Sequence, residues 1–567
     1  MVVLAADETL RLDANAVDYT LVVAYFAVVM LIGFAARRRV SDSLDFFLSG
    51  RSLPAWVTGL AFISANLGAV EIIGMSANGA QFGMATFHYF WIGAVPAMLF
   101  LGVVMMPFYY GSKVRSVPEF MRRRFGTGAH LVNALSFAIA QVLIAGINLY
   151  LLANIVNALL GWPLWVSLIL AAVIVLSYIT LGGLSAAIYN EVLQFFVIVA
   201  ALLPLTLIGL HRVGGVGGLV DKVRASTGGE ADLRSWPGEG LSGIDNPVLS
   251  VIGIVFGLGF VLSFGYWTTN FVEVQRAMAT KSLSAARSAP IIGSFPKMFI
   301  PFIVIIPGMI AAVLVNDVTT AKAAADPDFD YNNSILLLIR DVLPNGLLGV
   351  AIAGLLASFM AGMAANISAF NTVFSYDLWQ QYVKKDRPDA YYLAVGRWAT
   401  VGATVIAIFT ALIAAGYSNL MDYLQTLFGF FNAPLFATFI LGMFWKRMTP
   451  TAGWTGLVSG TLGAITVAVL SEDSLGGLSV GALPLSGQGA SFVAAATAFV
   501  VDIVVSVAVS MVTRPKPVAE LAGLVYSETP KETRTDPEAH LLPWYSSPTK
   551  LAGIALVMVV VLNVIFR

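Results

Sequence analysis

The sequence contains no cysteine, which excludes disulfide bonds, thiol chemistry and cysteine-ligated metal sites. Charged residues are also scarce, at 11% of the chain, whereas a soluble domain carries about 25%. The chain therefore lacks the polar surface that a water-soluble protein of its size needs. Its charges balance to zero and form no basic tract, so we predict no nucleic-acid partner.

Several familiar motifs are missing as well. The sequence has no glycine-rich loop followed by Lys-Ser or Lys-Thr, so no motif indicates ATP-driven pumping. The four histidines are too scattered along the chain to suggest a metal site. The N-terminal segment, residues 1–18, has neither a basic n-region nor an A-x-A cleavage site, and we therefore predict no signal peptide.

What the chain has in abundance is apolar sequence. Hydrophobic residues make up 58% of its 567 residues, and its mean hydropathy is +0.83. A helix needs about 20 apolar residues to cross a bilayer, and about fourteen stretches meet that need. They lie near 17–36, 53–80, 87–110, 130–160, 163–181, 185–210, 248–270, 289–316, 345–375, 392–415, 419–445, 450–470, 489–512 and 550–566. We predict an all-α integral membrane protein.

The basic residues predict how these spans are oriented. Most of the 32 lysines and arginines fall on alternate connections between spans, and the basic connections of a membrane protein face the cytoplasm. This places the N-terminus and the C-terminus outside the cell. We expect a multi-pass protein of the cell membrane that functions as a monomer.

One span contains residues that a plain membrane helix would not carry. Asn66 and Glu71 lie in the stretch FISANLGAVEIIGMSANGAQFG, among four glycines. A charged side chain at membrane depth is costly and marks a functional site by default. Broken helices near the membrane midplane form the binding sites of many secondary transporters. We therefore interpret this stretch as a broken helix at a site. The structural alternative is that Glu71 pairs with Lys297 and the glycines only permit close helix packing.

A second polar run, LSFGYWTTNF at residues 262–271, falls five spans later. This spacing predicts two five-helix repeats of inverted orientation, residues 53–211 and 248–447. Around them we place residues 1–52 with the first span, an external loop at 212–247, and peripheral spans at 448–567 with a cytoplasmic linker at 513–549. The helix at 354–379 is rich in small residues, which favours a packing role.

Several long motifs resemble the sodium/solute symporter family, and in particular its sodium/glucose cotransporter branch. They are ISANLGAVEIIGMSANGAQFGM, VRSVPEFMRRRFG, TLGGLSAAIYNEVLQFF, VQRAMATKSLSAAR, FNTVFSYDLW and LGMFWKR, in this order between about residues 20 and 460. The resemblance implies the leucine-transporter fold, a core of two inverted five-helix repeats with a broken first helix. It also implies alternating access and solute uptake driven by a sodium gradient.

The resemblance to sugar-transporting members implies a solute site with an aromatic gate. The matching positions are Asn66, Glu71, Ser263, Tyr266, Trp267, Lys297 and Gln425. The gate is the aromatic pair Tyr266 and Trp267. Relatives have Gln or His in place of Glu71. One sugar contact is lost, because Phe90 replaces a glutamate and its ring cannot accept a hydrogen bond.

The same resemblance implies a sodium site, with carbonyl ligands at Ser64, Leu67 and Ser358. Its two hydroxyl positions are Ala361 and Gly362, which carry no side-chain oxygen. The hydroxyls of Ser64 and Ser358 could replace these ligands. Alternatively, a buried carboxyl at Glu71 could carry a proton instead of sodium. Glu191 is a further candidate on the path of the ion.

We therefore expect a symporter of a small polar, sugar-like solute, coupled to sodium. The alternatives are a proton-coupled or uncoupled transporter on the same fold, or a sensor that binds the solute without moving it. A membrane enzyme is not expected, because Glu71, His88 and Lys297 come with no recognisable nucleophile.

Overall fold

The computed structural model describes residues 11–37, 52–68, 70–111, 116–326, 329–417, 419–472, 479–530, 532, 535 and 543–567. Nearly all of these residues lie in helices. Long helices dominate because the interior of a bilayer contains no water to hydrogen-bond exposed backbone groups. A helix satisfies these groups internally.

The helices of the first half of the chain are α1 (Ala16–Arg37), α2 (Ala55–Asn66), α3 (Val70–Phe87), α4 (Tyr89–Tyr110), α5 (Val117–Phe125), α6 (Thr127–Leu160), α7 (Leu164–Val213) and α8 (Gly215–Ala225). The second half contains α9 (Pro247–Thr269), α10 (Phe271–Met278), α11 (Leu283–Leu314), α12 (Asn316–Ala324), α13 (Ser334–Val342), α14 (Leu347–Val383), α15 (Asp389–Ala414), α16 (Leu420–Phe444), α17 (Pro450–Leu470), α18 (Gly487–Val512) and α19 (Pro548–Ile565).

Eleven helices in the described part of the chain are long and apolar enough to cross a membrane. The pair α2 and α3 makes a twelfth span, bent by 60° at its break. Apolar segments of α1 and α7, Ala16–Ile32 and Leu164–Ser177, are shorter. The prediction of an all-α membrane protein is confirmed, and so is the broken span.

In one region the structure has a single helix where the sequence predicted two spans. Residues 163–181 and 185–210, predicted as two spans, lie in the single helical element α7. Gly182 and Gly183 lie between the two predicted spans. Glycine weakens a helix by about 1 kcal/mol but keeps its backbone donor, whereas proline removes it. The helix can therefore continue through both glycines.

Burial separates the central helices from the peripheral ones. In α14, 89% of the residues in an apolar 18-residue segment are buried, compared with 39% in α18 and 22% in α19. Side chains such as Trp398 and Phe409 are exposed on the outer surface, where lipid replaces water as the solvent. The small-residue helix α14 therefore lies at the centre of the bundle, as its packing role predicts, next to the break between α2 and α3.

Candidate functional site

The break between α2 and α3 allows a close contact with α14. The helix α2 ends at Asn66, and the following Leu67 leaves the helical conformation with ψ at 43°. A Cβ atom built on Gly68 would lie 3.3 Å from the Cα of Gly362 on α14. Only glycines permit two backbones to approach this closely. The break and the central helix therefore meet backbone to backbone.

A chain of hydrogen bonds begins at this break. The Lys297 ammonium, on α11, lies 2.6 Å from Glu71 Oε1 and also donates to Asn66 Oδ1. Asn66 Nδ2 donates to the Tyr266 hydroxyl at 3.2 Å. That hydroxyl in turn donates to Glu273 Oε1 at 2.7 Å. The chain runs in one direction, from a cation at Lys297 to a carboxylate at Glu273.

These polar side chains surround a central cavity. It has a free volume of about 80 Å³ and is partly open to solvent. Seven of the eight residues predicted at the solute site line it, namely Asn66, Glu71, Ser263, Tyr266, Trp267, Lys297 and Gln425. The residues that the family resemblance implies for the solute site therefore come from five different helices and line one cavity.

Phe90 is the predicted solute-site residue that does not line this cavity. Its side chain is 1% exposed, and its ring centroid lies 4.8 Å from the Lys297 ammonium. The ring of Trp267 lies 5.4 Å from the same ammonium. Cations are attracted to the faces of aromatic rings at such distances. Phe90 therefore contacts the lysine of the site and not the cavity itself.

Tyr266 and Trp267, the two residues predicted as the gate, pack among other aromatic rings. The Tyr266 ring packs against Phe428 at 4.6 Å between centroids and lies edge-on to Trp267 at 5.4 Å. Trp267 in turn contacts Phe62 at 5.3 Å. Offset and edge-to-face arrangements of this kind are the preferred geometries of aromatic pairs. Both residues predicted as the gate are thus held within one aromatic cluster.

The predicted sodium ligands lie together beside the break. Ser358 Oγ, on α14, donates to the Leu67 carbonyl at 2.7 Å. Ser64 Oγ is buried and has no hydrogen-bond partner among the described residues. Ala361 and Gly362 belong to the same buried stretch of α14 and add no side-chain oxygen. The cluster therefore contains two serine hydroxyls and the carbonyl that the break releases.

Another oxygen lies close to Gly362, one of the two positions without a side-chain hydroxyl. Asn148 Oδ1, on α6, would lie 2.7 Å from a Cβ built on Gly362 and 3.1 Å from one built on Gly68. Asn148 also lines the central cavity. A side chain at position 362 would therefore collide with Asn148. The amide oxygen of Asn148 occupies the space that a side chain at position 362 would need.

Glu191, the ion-path candidate, does not line the cavity. It forms a fully buried ion pair with Arg276, with distances of 3.1 Å to Nε and 2.5 Å to Nη2. Arg276 lies on α10, whose residues are all buried, and its own side chain is 0% exposed. The pair links α7 to α10.

Sequence reasoning missed three functional candidates: Asn148, Glu273 and Arg276. Asn148 is one of several amides in α6, and its proximity to Gly362 depends on the packing of two helices. The other two follow the end of an apolar stretch, where charged residues are expected to face water. Only their complete burial, which the sequence pattern does not reveal, distinguishes them.

A bent, broken span that faces a polar cavity at the centre of an apolar helical bundle is the architecture of a secondary transporter. Residues 46–460 match the sodium:solute symporter family, and the chain belongs to this family. The resemblance expected from the motifs is confirmed.

The chain is also similar to individual members. It is 29% identical over 463 residues to a sodium/glucose cotransporter of Vibrio parahaemolyticus, covering 78% of this chain and 83% of the relative. It is 30% identical over 488 residues to sodium/glucose cotransporter 4 of Homo sapiens, covering 82% of this chain and 70% of the relative.

Among solved structures, the chain resembles a Na⁺-coupled sialic acid symporter in a substrate-bound, outward-open state. The TM-score is 0.74 and the sequence identity 18%, with 88% of this chain and 98% of the other covered. At this identity the likeness shows the fold alone. It supports the leucine-transporter-like architecture predicted from the sequence.

Proposed function

We propose that this protein is a sodium-coupled symporter that carries a small polar, sugar-like solute across the membrane by alternating access. The observation that supports this most directly is the central cavity, where the break of a membrane span meets a chain of hydrogen-bonding side chains. Buried polar groups are costly unless they are satisfied. A solute with hydroxyl groups can replace some of the hydrogen bonds between these side chains, so that they serve as its binding groups.

The charges around the cavity favour a solute without net charge. Lys297 and Glu71 form an ion pair in its wall, so a neutral molecule can exchange hydrogen bonds with both without leaving either charge uncompensated. Gln425 lines the same cavity, and among the described residues its Nε2 donates only to the sulfur of Met421, at 3.2 Å. Sulfur is a weak acceptor, so the amide remains available for a hydroxyl of the solute.

Tyr266 and Trp267 act as the gate in this proposal. Both rings line the cavity and pack against Phe428 and Phe62. Rotation of such a packed cluster opens the cavity at one end while its other end is closed, which is the requirement of alternating access. The gate faces the cytoplasm if the N-terminus lies outside, as the distribution of basic residues between connections predicts.

Sodium is the coupling ion that we favour, and it is a co-substrate of the transport cycle. The described residues offer it oxygen ligands from Ser64, Ser358, the Leu67 carbonyl and Asn148 beside Gly362. Hard cations such as sodium prefer oxygen ligands of this kind. The lack of hydroxyls at Ala361 and Gly362 favours the second candidate, a proton-coupled transporter in which Glu71 carries the proton.

We further propose that the protein works as a monomer in the cell membrane, with both termini external and two inverted repeats at 53–211 and 248–447.

The test of the symport proposal begins with a thermal-shift screen of the purified protein against sugars, polyols, amino acids and carboxylates, with and without sodium. A ligand that binds only the folded state raises the melting temperature by mass action. A sugar or polyol that does so only with sodium supports the proposal, whereas hits confined to carboxylates, or independent of sodium, would contradict it.

A further inference from the structure

The hydrogen-bond chain ends at Glu273 on α10, a residue that does not line the cavity. The Glu273 side chain is 0% exposed. Its Oε1 accepts the Tyr266 hydroxyl at 2.7 Å. Its Oε2 is buried and has no hydrogen-bond partner among the described residues. A buried carboxylate oxygen without a donor is costly, so this group needs an explanation beyond packing.

The cations close to Glu273 are bound to other groups. Arg276, one helical turn along α10, donates Nε and Nη2 to Glu191 and Nη1 to the Val272 carbonyl. Lys297 donates to Glu71 and Asn66. The positive charge around Glu273 therefore acts on it from a distance, while its direct polar contact is the Tyr266 hydroxyl.

We propose that Glu273 is a proton-binding site that latches the Tyr266 gate: its ionised carboxylate holds the tyrosine hydroxyl, and protonation of the carboxylate releases it. The inference rests on the gating role proposed for Tyr266, but it requires neither a particular solute nor sodium coupling.

The titration range of Glu273 suits such a latch. Burial raises the pKa of Glu273 to about 7, although Arg276, the Tyr266 hydroxyl and Lys297 each lower it and Glu191 raises it. These groups face it from α10, α9, α11 and α7. A carboxyl that titrates near neutrality changes its charge with modest changes of cytoplasmic pH.

The direction of the hydrogen bonds explains how the latch works. Tyr266 has a single hydroxyl proton, and it is donated to Glu273 because Asn66 Nδ2 already donates to the hydroxyl oxygen. A hydrogen bond to an ionised acceptor is about twice as strong as one between neutral groups. Protonation of Glu273 therefore weakens the hold on the gate without removing a side chain. Acid on the Glu273 side of the membrane favours opening.

The absence of native cysteine provides a direct test of gate opening. Ser263 lines the cavity, and Ser263→Cys introduces a single thiol there. The protein is reconstituted into vesicles, and a membrane-impermeant methanethiosulfonate reagent is added on the Glu273 side. The labelling rate then measures how often the gate opens, and no solute is needed. The thiolate fraction also changes with pH, so each rate is divided by the rate of a second variant at the same pH.

We expect Glu273→Gln, a permanently uncharged isostere, to be labelled about fivefold faster than its parent at about pH 8, in line with the weaker neutral hydrogen bond. The ratio should approach one at about pH 6, where the parent is protonated as well. Tyr266→Phe, which removes the latched hydroxyl and keeps Glu273, should also be labelled faster at the higher pH. This variant decides the question if Glu273→Gln does not fold.

The matched control is Asp502→Asn on α18. Asp502 is an equally buried carboxylate, held by Thr438 at 2.7 Å and Ser506 at 2.9 Å, but it lies outside the cavity lining. Its labelling ratio to the parent should be one at both pH values. A ratio for Glu273→Gln that is the same at both pH values, or an equal effect of Asp502→Asn, overturns the proposal. Transport of any solute plays no part in the assay, so failure of the symport proposal would be seen separately.

Discussion

The Lys297 ammonium lies 2.6 Å from the Glu71 carboxylate in the wall of the central cavity. The sequence left two interpretations open, a binding site at Glu71 and a structural ion pair between Glu71 and Lys297. The structure contains the ion pair, and both of its members line the cavity.

The double substitution Lys297→Met with Glu71→Gln separates these two roles. Lys297→Met alone leaves a carboxylate without its cation, and breaking a buried pair in this way costs about 3–5 kcal/mol of stability. Adding Glu71→Gln should restore the melting temperature but not solute affinity, which we expect to stay at least about tenfold weaker, equivalent to one lost hydrogen bond. Wild-type affinity in the double variant would show that the pair is structural only.

Gln425→Ala should weaken solute binding about tenfold, which corresponds to about 1.4 kcal/mol for one good hydrogen bond. The unliganded protein should keep its melting temperature within a few degrees, since the hydrogen bond that Gln425 donates within the described part of the chain goes to a weak acceptor, the sulfur of Met421. Isothermal titration measures the affinity. If the dissociation constant is unchanged, Gln425 does not contact the solute.

Asn148→Leu tests whether the amide next to Gly362 is a sodium ligand. Leucine is close to asparagine in size but offers no oxygen, so we expect a rise of the half-saturating sodium concentration of about fivefold or more. The control is Asn133→Leu, an equally buried asparagine on the same helix. Ala361→Ser should lower the half-saturating sodium concentration. We choose Ala361 and not Gly362 for the added serine, because a Cβ at Gly362 would lie 2.7 Å from Asn148 Oδ1. Equal effects of Asn148→Leu and Asn133→Leu would exclude a specific role.

Glu273 predicts how stability depends on pH. Burial raises the pKa of Glu273 to about 7 from 4.5. Between these values the folded protein binds a proton that the unfolded chain releases, so this group destabilises the folded state progressively as the pH rises from about 4.5 to 7. Glu273→Gln should therefore be more stable than the parent at about pH 8 and no more stable at about pH 5. A difference in melting temperature that does not vary with pH would contradict this.

Much of the site was predictable because its residues break local rules. Asn66, Glu71 and Lys297 are polar residues within apolar stretches, and such residues mark function in membrane helices by default. The break between α2 and α3 was visible in the same way, from glycines where a helix needs none. These signals are local, so the sequence shows them without knowledge of the packing.

The remaining features depend on which helices meet. Tyr266 was expected to act through its ring, but its hydroxyl holds Asn66 and Glu273 together. Arg276 and Glu273 follow an apolar stretch, and the sequence does not reveal that α10 returns into the bundle. Asn148 Oδ1 lies beside Gly68 and Gly362, where two helix backbones approach each other closely. Contacts of this kind are set by tertiary packing and leave no periodic signal.

The measurement that tests the central claim most directly is uptake into proteoliposomes of the labelled solute that the thermal-shift screen selects. An inward sodium gradient at equal pH on both sides should drive accumulation above the external concentration, and replacement of sodium by choline should abolish it. A parallel assay uses an inward proton gradient with equal sodium on both sides. Accumulation that follows the proton gradient, persists in choline and disappears in Glu71→Gln would contradict sodium-coupled symport.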